Sequence, residues 1–223
     1  MKILISGGSR GLGRQIAITL ASNPENEVHT FSRSDVSEQS PSNLKHFCNV
    51  DILQDTNKLN LELYDVLINN AGVGYSGYLA KQDPEKIKET LNINTLSVIQ
   101  ITQKYIQKRF NLGGNIINIS SIVSKRGYPG LSVYSASKGA LNSFTQALAV
   151  ELAGKGFRVN AILPGYIETK MTEGLPFDKI IINTPSKKLS TKQDIANIIE
   201  FLLSDKASNI TGQLITIDGG YTV

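Results

Sequence analysis

Seven short apolar runs recur along the 223-residue chain, and helix-like segments separate most of them. The runs are rich in Ile, Val and Phe, which is typical of strands buried on both faces of a parallel sheet. Strands that alternate with helices form right-handed βαβ units, so the sequence predicts an α/β fold with a three-layer sandwich around a mostly parallel, seven-stranded sheet. The predicted strands are KILIS (2–6), EVHTFS (27–32), LKHFC (44–48), DVLIN (65–69), NIINIS (115–120), FRVNAI (157–162) and QLITID (213–218).

The helix-like segments carry start and stop signals. Asp83 before Pro84 predicts the N-cap of a long helix, and Ser190 or Thr191 is expected to cap TKQDIANIIEFLLS. Gly154 is the predicted stop of the helix that contains SASKGALNSFTQALAVELA. The fourth segment, RQIAITLASN, directly follows a glycine-rich turn.

Length and composition favour a single domain over residues 1–223. Hydrophobic residues make up 40% of the chain, and no apolar run approaches the roughly 18 residues that span a membrane. The first run lacks the pattern of a signal peptide, so we expect a cytoplasmic protein without a membrane partner. The net charge of +4 is mild and dispersed, so we expect no nucleic-acid partner.

Cysteine and histidine residues are few and scattered. Cys48 is the only cysteine, so an internal disulfide is excluded, and we expect a small buried residue there. His29 and His46 lack metal-ligand spacing to each other and to Cys48. The sequence therefore predicts no metal site.

Four glycines lie within seven residues of SGGSRGLG (6–13), between the first apolar run and a helix-like segment. A turn needs fewer glycines than this, and each glycine costs chain entropy on folding. A strand, a glycine-rich turn and a helix N-terminus together form an anion site, because free N–H groups and the helix dipole point at one spot. Phosphate binding is the favoured interpretation, and an ordinary strand-to-helix turn is the alternative.

Small or polar residues follow most of the predicted strands. In a parallel sheet these positions share the carboxyl edge, where ligands bind at the point at which the strand order reverses. One dinucleotide laid along that edge explains them together. Besides the glycine turn, the segments are 32–34, 49–51, 69–72, 120–121 and 164–165.

The stretch VYSASKGAL (133–141) reads as the start of a helix, which places Tyr134 and Lys138 on one face. Such a pair is by itself a weak signal, because helix surfaces carry many of them. Ser121 follows the fifth predicted strand, and its hydroxyl is expected to reach the same pocket.

The motifs together resemble the classical short-chain dehydrogenase/reductase family, and most of all its 3-oxoacyl-acyl-carrier-protein reductases. The resemblance covers nearly the whole chain, and it implies a single-domain Rossmann fold. Each motif is modest, whereas their order and spacing are specific. They are SGGSRGLG, NNAG (69–72), NINTLSVIQIT around Asn94, NISS (118–121), YSASK (134–138), PGYIET (164–169) and ITGQLITIDGG (210–220).

The resemblance implies a ketone reductase in which Tyr134 is the general acid/base, Lys138 its partner and Ser121 the hydroxyl that positions the carbonyl. Asn94 is implied to hold a water that links Lys138 to solvent, and a polar residue that breaks a helix is the alternative interpretation. The expected cofactor-binding residues comprise the pyrophosphate loop, the ribose and adenine contacts and the nicotinamide side. They are Gly7, Ser9, Arg10, Gly11, Leu12, Gly13, Arg33, Asn49, Asn70, Ala71, Gly72, Pro164, Gly165, Ile167 and Thr169.

The second strand bears on the choice of cofactor. Proteins that bind NAD usually carry an acidic residue near the end of this strand, whereas this chain has Ser32 followed by Arg33. With Arg10 in the glycine turn, two guanidiniums suit a 2′-phosphate, so the sequence favours NADP(H). Asp35 is the alternative, because a shift of a few residues would make it the acid that binds the ribose.

The chain departs from the family in its short segments. Residues 51–65 leave little room for the usual helix between the third and fourth strands, and Asn49 replaces an aspartate near the adenine. The substrate lid, at about residues 171–190, is compact, which fits either a carrier-bound substrate or a simple loop shortening. Small alcohols, sugars or steroid-like ketones, and a non-catalytic NADP-binding regulator, remain alternatives.

The resemblance also predicts assembly into a homodimer or homotetramer. The Asn94 and Tyr134 helices carry more apolar residues than one sheet face requires. These residues are Leu96, Ile99, Ile106, Phe144, Leu148 and Leu152.

Overall fold

One seven-stranded sheet organises the protein. The structure is a computed structural model that describes residues 1–37 and 39–223. All seven strands are parallel, in the order β3-β2-β1-β4-β5-β6-β7, so the predicted fold class is confirmed and its sheet is entirely parallel. The strands are β1 (Lys2–Ser6), β2 (Glu27–Phe31), β3 (Leu44–Phe47), β4 (Val66–Asn69), β5 (Gly114–Ile119), β6 (Phe157–Pro164) and β7 (Leu214–Ile217).

Helices cover both faces of the sheet and complete the three layers. The first face is covered by α1 (Gly11–Ala21) and α6 (Lys192–Leu203), whose apolar residues pack on β1 and its neighbours. On the second face, α3 (Ser97–Arg109) and α4 (Ser132–Leu152) pack their apolar residues on the sheet. The two short helices α2 (Pro84–Leu91) and α5 (Phe177–Asn183) contribute no residue to either apolar core. The strand order reverses between β1 and β4, which sets the ligand edge at their carboxyl ends.

The predicted helix starts are confirmed. The Asp83 side chain accepts a hydrogen bond from the Glu85 amide, and Pro84 is the first residue of α2. Thr191, rather than Ser190, caps α6, and it exchanges hydrogen bonds with Asp194 in a capping box.

The helix stop predicted at Gly154 is wrong. Helix α4 ends at Leu152, a 3-10 turn covers Ala153–Lys155, and the left-handed residue is Gly156 with φ +75°. The chain thus takes one extra tight turn before the conformation that favours glycine.

The long helix expected after Asp83 is interrupted by a π-turn over Asn92–Leu96, which separates α2 from α3. A π-turn carries an extra residue in one helical turn and is often found at functional sites. Asn94 lies in it, so the helix is interrupted at this polar residue, and the role of Asn94 in holding a water stays a prediction.

The β1–β3 side of the sheet is trimmed as the sequence predicted. The described residues 51–65 form two 3-10 turns, Thr56–Lys58 and Leu61–Leu63, and no α-helix. The described part of residues 32–43 also lacks a helix, and side chains tie it to α1 instead. Asn43 Nδ2 donates to the Ala21 carbonyl at 2.9 Å, and Arg14 Nη2 donates to the Gln39 carbonyl at 3.0 Å.

The expectation that Cys48 is buried is wrong, because its side chain is exposed. It directly follows β3, which is the edge strand, and the preceding Phe47 is also exposed. No α-helix follows β3 in the described residues 51–65, so this corner of the sheet is left uncovered by that part of the chain.

The two histidines belong to separate local networks. His29 contacts the Tyr64 hydroxyl at 2.8 Å, and His46 contacts the Thr30 hydroxyl at 2.7 Å. Within residues 1–37 and 39–223, no group of three or more His, Cys, Asp or Glu side chains is arranged to hold a metal ion. No helix formed by these residues is long and apolar enough to cross a membrane.

Candidate active site

The glycine turn packs tightly at Gly7 and Gly13 and is open at Gly11. Gly7 has φ +71°, and a Cβ there would lie 2.9 Å from Ala71 Cα. A Cβ on Gly13 would overlap the Gly7 carbonyl oxygen, so both positions require glycine for close packing. Gly11 has φ +61°, and an added Cβ would meet nothing within 4 Å. Open space therefore lies where backbone amides meet the start of α1.

The loop after β4 is bonded directly to this turn. Ser6 Oγ accepts from the amides of Asn70 and Ala71, both at 3.0 Å. Asn70 Nδ2 donates to the carbonyls of Ser6 and Gly7, again at 3.0 Å. The two loops that flank the topological switch point therefore form one rigid unit.

The N-terminus of α1 favours an anion. Arg10 occupies the cap position with extended backbone and is exposed, and the first turn of α1 contains no acidic residue. Ser9 and Leu12 are partly exposed beside it. The amides of the first turn and the positive end of the helix dipole are thus accompanied by a guanidinium.

Ser121, Tyr134 and Lys138 meet at the carboxyl ends of β4 and β5. Ser121 follows β5 and begins a short 3-10 turn, where its Oγ accepts from the Val123 amide at 3.4 Å. The first two turns of α4 carry Tyr134 and Lys138, with Lys138 Nζ 5.9 Å from the centre of the Tyr134 ring. The Lys138 side chain is only 4% exposed, and its Nζ donates to the Ile119 carbonyl at 2.7 Å.

Asn94 joins this cluster through the loop after β4. Its Oδ1 accepts from the Val73 amide and its Nδ2 donates to the Val73 carbonyl, both at 2.8 Å. Nδ2 also donates to Ser137 Oγ at 3.1 Å. A Cβ on Gly72 would lie 3.2 Å from Asn94 Oδ1 and 3.6 Å from Lys138 Nζ, so glycine keeps these two groups close to one point.

Burial shifts the pKa values of both titratable residues. Burial raises the pKa of the Tyr134 phenol, and the Ser121 hydroxyl acts in the opposite direction. Burial alone lowers the pKa of Lys138 to about 8. The sequence argument that the Lys138 charge depresses the Tyr134 pKa is therefore not seen in the protein alone, where loss of hydration dominates.

The loops after β2 and β3 carry the residues that are predicted to bind adenosine and its 2′-phosphate. Strand β2 ends at Phe31, so Ser32 is the first residue beyond it, and Arg33 is exposed. Asp35 lies further along the loop, where its Oδ1 accepts from the Val36 amide at 2.7 Å. Asn49 is exposed after β3 with φ +55°.

On the other side of the switch point, β6 ends in the PGYIET motif. Pro164 is the last residue of β6, and a Cβ on Gly165 would lie 2.7 Å from Asp218 Cβ. Ile167 is buried in the core, and Thr169 caps a short 3-10 turn. Gly165, Ile167 and Thr169 thus lie beyond the carboxyl end of β6, as the sequence predicted, whereas Pro164 is still part of the strand.

Sequence reasoning missed several supporting groups. Ser6 is a buried acceptor for two amides, Ser137 joins Asn94 to the Tyr134 carbonyl, and the Ile119 carbonyl holds Lys138. Ser6 and Ser137 stand inside quoted motifs, so their type and position were visible. Carbonyl acceptors have no sequence signal, because every residue carries one.

Comparison with known proteins gives matches over essentially the whole chain. A family profile described as Enoyl-(Acyl carrier protein) reductase matches residues 9–222. The 3-oxoacyl-[acyl-carrier-protein] reductase FabG of Thermotoga maritima is 33% identical over an alignment of 244 residues. The alignment covers 99% of this chain and 97% of that protein.

Solved structures share the fold at similar coverage. A 3-ketoacyl-(acyl-carrier-protein) reductase from Brucella melitensis, complexed with NADH, has a TM-score of 0.92 at 28% identity and covers 100% of this chain and 98% of that one. A putative 2-deoxy-d-gluconate 3-dehydrogenase from Agrobacterium tumefaciens, with bound NADP, has a TM-score of 0.89 at 29% identity. The match covers 99% of this chain and 95% of that one.

A doubly wound sheet with a glycine turn at its switch point, beside a partly buried tyrosine and a buried lysine, agrees with the class that the relatives define, an NAD(P)-dependent oxidoreductase. The profile and the relatives then specify the family. The chain belongs to the short-chain dehydrogenase/reductase family and is FabG-like, as its motifs predicted.

The lowered pKa of Lys138 predicts a pH-dependent stability. Its pKa is about 8 in the folded protein and 10.5 ordinarily, so between these values the unfolded chain binds the extra proton. The wild type is therefore expected to gain stability relative to Lys138→Met as the pH rises. The difference between their free energies of unfolding is expected to increase by about 2 kcal/mol between pH 7.5 and pH 10. Urea unfolding of the cofactor-free protein at several pH values measures it.

Lys206→Met is the matched control, because that lysine is exposed. A difference between wild type and Lys138→Met that stays constant with pH would contradict burial of the Lys138 ammonium.

Proposed function

We propose that the protein is an NADPH-dependent carbonyl reductase that reduces a ketone to a secondary alcohol, with 3-oxoacyl thioesters as its substrate class. The observation that carries the proposal is the convergence of Ser121 and Lys138 on Tyr134, beside the glycine turn and at the ligand edge of the sheet. The similarity to 3-oxoacyl-[acyl-carrier-protein] reductases supports the substrate class.

A dinucleotide fits the residues at this edge. The space above Gly11 lets a pyrophosphate approach the amides of the glycine turn, with Ser9, Leu12 and Gly13 beside it. The other groups follow along the edge. The proposed contacts are Asn70, Ala71 and Gly72 for the ribose side, Pro164, Gly165, Ile167 and Thr169 for the nicotinamide side, Asn49 for adenine, and Arg10 and Arg33 for the 2′-phosphate.

When bound, the nicotinamide supplies the hydride that reduces the carbonyl carbon. The Tyr134 hydroxyl donates its proton to the carbonyl oxygen, on which negative charge develops. The Ser121 hydroxyl donates a hydrogen bond to the same oxygen and keeps it within reach of the phenol. The raised pKa of Tyr134 keeps the phenol protonated before reduction, which is the state that a proton donor requires.

Lys138 and Asn94 act beside this step. Lys138 Nζ uses one N–H on the Ile119 carbonyl and has others to donate to the ribose hydroxyls. Both Nδ2 hydrogens of Asn94 are engaged, whereas Oδ1 lies near Gly72 on the side of Lys138 and has a lone pair for a water. Proton supply to Tyr134 then runs from solvent through this water and Lys138.

Residues 171–190 form the substrate lid of this proposal. A Cβ on Gly74 would lie 3.6 Å from the Tyr134 ring and 3.7 Å from Met171 Sδ, so the first lid residue stands near the phenol. Besides the end of the 3-10 turn Lys170–Thr172, the lid contains one short helix, α5, and this compact lid supports a carrier-bound substrate.

Similarity to a putative 2-deoxy-d-gluconate 3-dehydrogenase makes sugar ketones the second candidate substrate class. A panel of acetoacetyl thioesters, sugar ketones and steroid-like ketones, with NADPH loss followed, decides between them. Tight NADPH binding without turnover of any ketone would instead favour a non-catalytic regulator.

Removal of the Tyr134 hydroxyl tests the mechanism. Tyr134→Phe is expected to lower kcat by ~10²–10⁴-fold, the usual contribution of a positioned acid, with NADPH affinity near wild type. Lys138→Met is expected to weaken NADPH binding as well. Steady-state kinetics and cofactor titration separate the two effects.

Tyr128→Phe is the matched control, because its hydroxyl is buried without a hydrogen-bond partner among the described residues and lies six positions earlier. Retained activity in Tyr134→Phe together with lost activity in Lys138→Met would show that the proton comes from another group.

Arg10 and Arg33 are the basis of the cofactor preference. Related structures are described with NADH or with NADP, so the choice depends on this chain's own residues. A charge-assisted hydrogen bond is worth ~1.5–3 kcal/mol, so NADPH is expected to bind roughly ten- to a hundred-fold more tightly than NADH. Fluorescence titration of both cofactors measures this ratio, and Arg33→Ala is expected to lower it.

Equal affinity, or a preference for NADH, would refute the NADP assignment and point to Asp35 as the residue that binds the ribose.

Assembly through α3 and α4 is the last part of the proposal. The sequence assigned six apolar residues to an interface, and for Leu148 and Leu152 this assignment is wrong, because both are buried in the core. Ile106 and Phe144 are partly buried and pack against the same core. Leu96 and Ile99 remain exposed at 45% and 37%, and Val150 on α4 is 84% exposed. These exposed residues support a dimer or tetramer across these helices.

Light scattering at micromolar concentration is expected to report a dimer or tetramer, and Ile99→Glu is expected to shift it towards the monomer. Leu112→Glu is the control, because this exposed residue lies beyond the end of α3. A monomer in the wild type would contradict this part of the proposal.

A further inference from the structure

His46 bridges two strands at the carboxyl edge, next to the proposed 2′-phosphate site. It lies on the edge strand β3, directly opposite Thr30 on β2. Its Nδ1 is 2.7 Å from Thr30 Oγ1, and its Nε2 is 2.9 Å from the Ser34 carbonyl oxygen. Nε2–H donates to that carbonyl, since a carbonyl can only accept, and Nδ1 is then free to accept from the Thr30 hydroxyl.

Thr30 connects this bridge to the glycine turn. It is fully buried, and a Cβ added to Gly8 would overlap its side chain. The Thr30 side chain therefore packs directly against the backbone of the turn that carries Arg10. A shift of Thr30 would be transmitted to the turn, because no gap separates them.

Ser34 connects the bridge to the other arginine. Arg33 lies in the turn 32–34. The Ser34 carbonyl of this turn accepts from two side chains, because Ser32 Oγ donates to it at 2.6 Å in addition to His46 Nε2. No helix follows β2 in the described residues of 32–43. Backbone hydrogen bonds of Ser32 with Phe47 and Val50 anchor the start of this turn, and the side-chain hydrogen bonds hold its end at Ser34.

We infer that His46 is a positioning residue for recognition of the 2′-phosphate. Through Thr30 and Ser34 it holds the turn that carries Arg33 at a fixed distance from the glycine turn that carries Arg10, so that both guanidiniums meet one phosphate. This inference rests on the proposed NADPH specificity. His46 itself contacts neither substrate nor cofactor in it.

The test compares binding of 2′,5′-ADP with that of 5′-ADP by calorimetry, which requires no turnover. The wild type is expected to prefer 2′,5′-ADP. His46→Leu is expected to lower that preference by about three- to tenfold, because a typical hydrogen bond contributes up to about a factor of ten. His46→Gln keeps a donor near the Nε2 position and is expected to retain most of the preference.

His29→Gln is the matched control. His29 is the chain's other histidine, it lies beside Thr30 on β2, and it contacts Tyr64 rather than the turn. Its replacement is expected to lower Tm without changing the ratio of the two ligands. A mere loss of stability in His46→Leu, with the ratio unchanged, would overturn the inference.

A double-mutant cycle separates this inference from the proposed function. If His46 acts by placing Arg33, His46→Leu is expected to change the ratio little in an Arg33→Ala background. An undiminished effect of His46→Leu in that background would overturn the route through Arg33. A wild type without preference for 2′,5′-ADP would refute the NADPH assignment itself. An equally strong preference in the wild type and in His46→Leu would refute only the role of His46.

Discussion

The close contact between the glycine turn and the loop after β4 is the constraint on which the rest of the site depends. Ser6 Oγ holds two amides of that loop, and Asn70 Nδ2 holds two carbonyls of the turn. These contacts are possible only because Gly7 and Gly13 have no side chains to separate the backbones. With both loops fixed, Gly72 and Val73 have a defined place from which Asn94 and Lys138 are reached.

The buried lysine shows how the fold tunes this site. Lys138 is held by a carbonyl rather than a carboxylate, so burial dominates and brings its pKa down to about 8, close to neutral pH. The same burial raises the pKa of Tyr134, and only the Ser121 hydroxyl opposes it. The two pKa values therefore move apart, so a proton on the Lys138 ammonium is more acidic than the proton on the Tyr134 phenol.

Much of the site was predictable because its signals are local in sequence. Tyr134 and Lys138 share a helix face through their spacing, and Asp83 and Thr191 carry capping signals within one turn. The errors concern burial and termination, which depend on distant neighbours. Cys48 is exposed because the corner after β3 lacks cover, and Leu148 and Leu152 are core residues because α4 lies on the sheet.

The sequence by itself determined the element order, the glycine turn and the chemical types of the site residues, because strand periodicity, capping and glycine placement act over a few residues. The tertiary structure decided which groups meet. It placed Asn94 in a π-turn against Val73, the Ile119 carbonyl on Lys138, and His46 between Thr30 and Ser34. These contacts join residues far apart in the chain, and only the packing of strands and helices around the core brings them within hydrogen-bond distance.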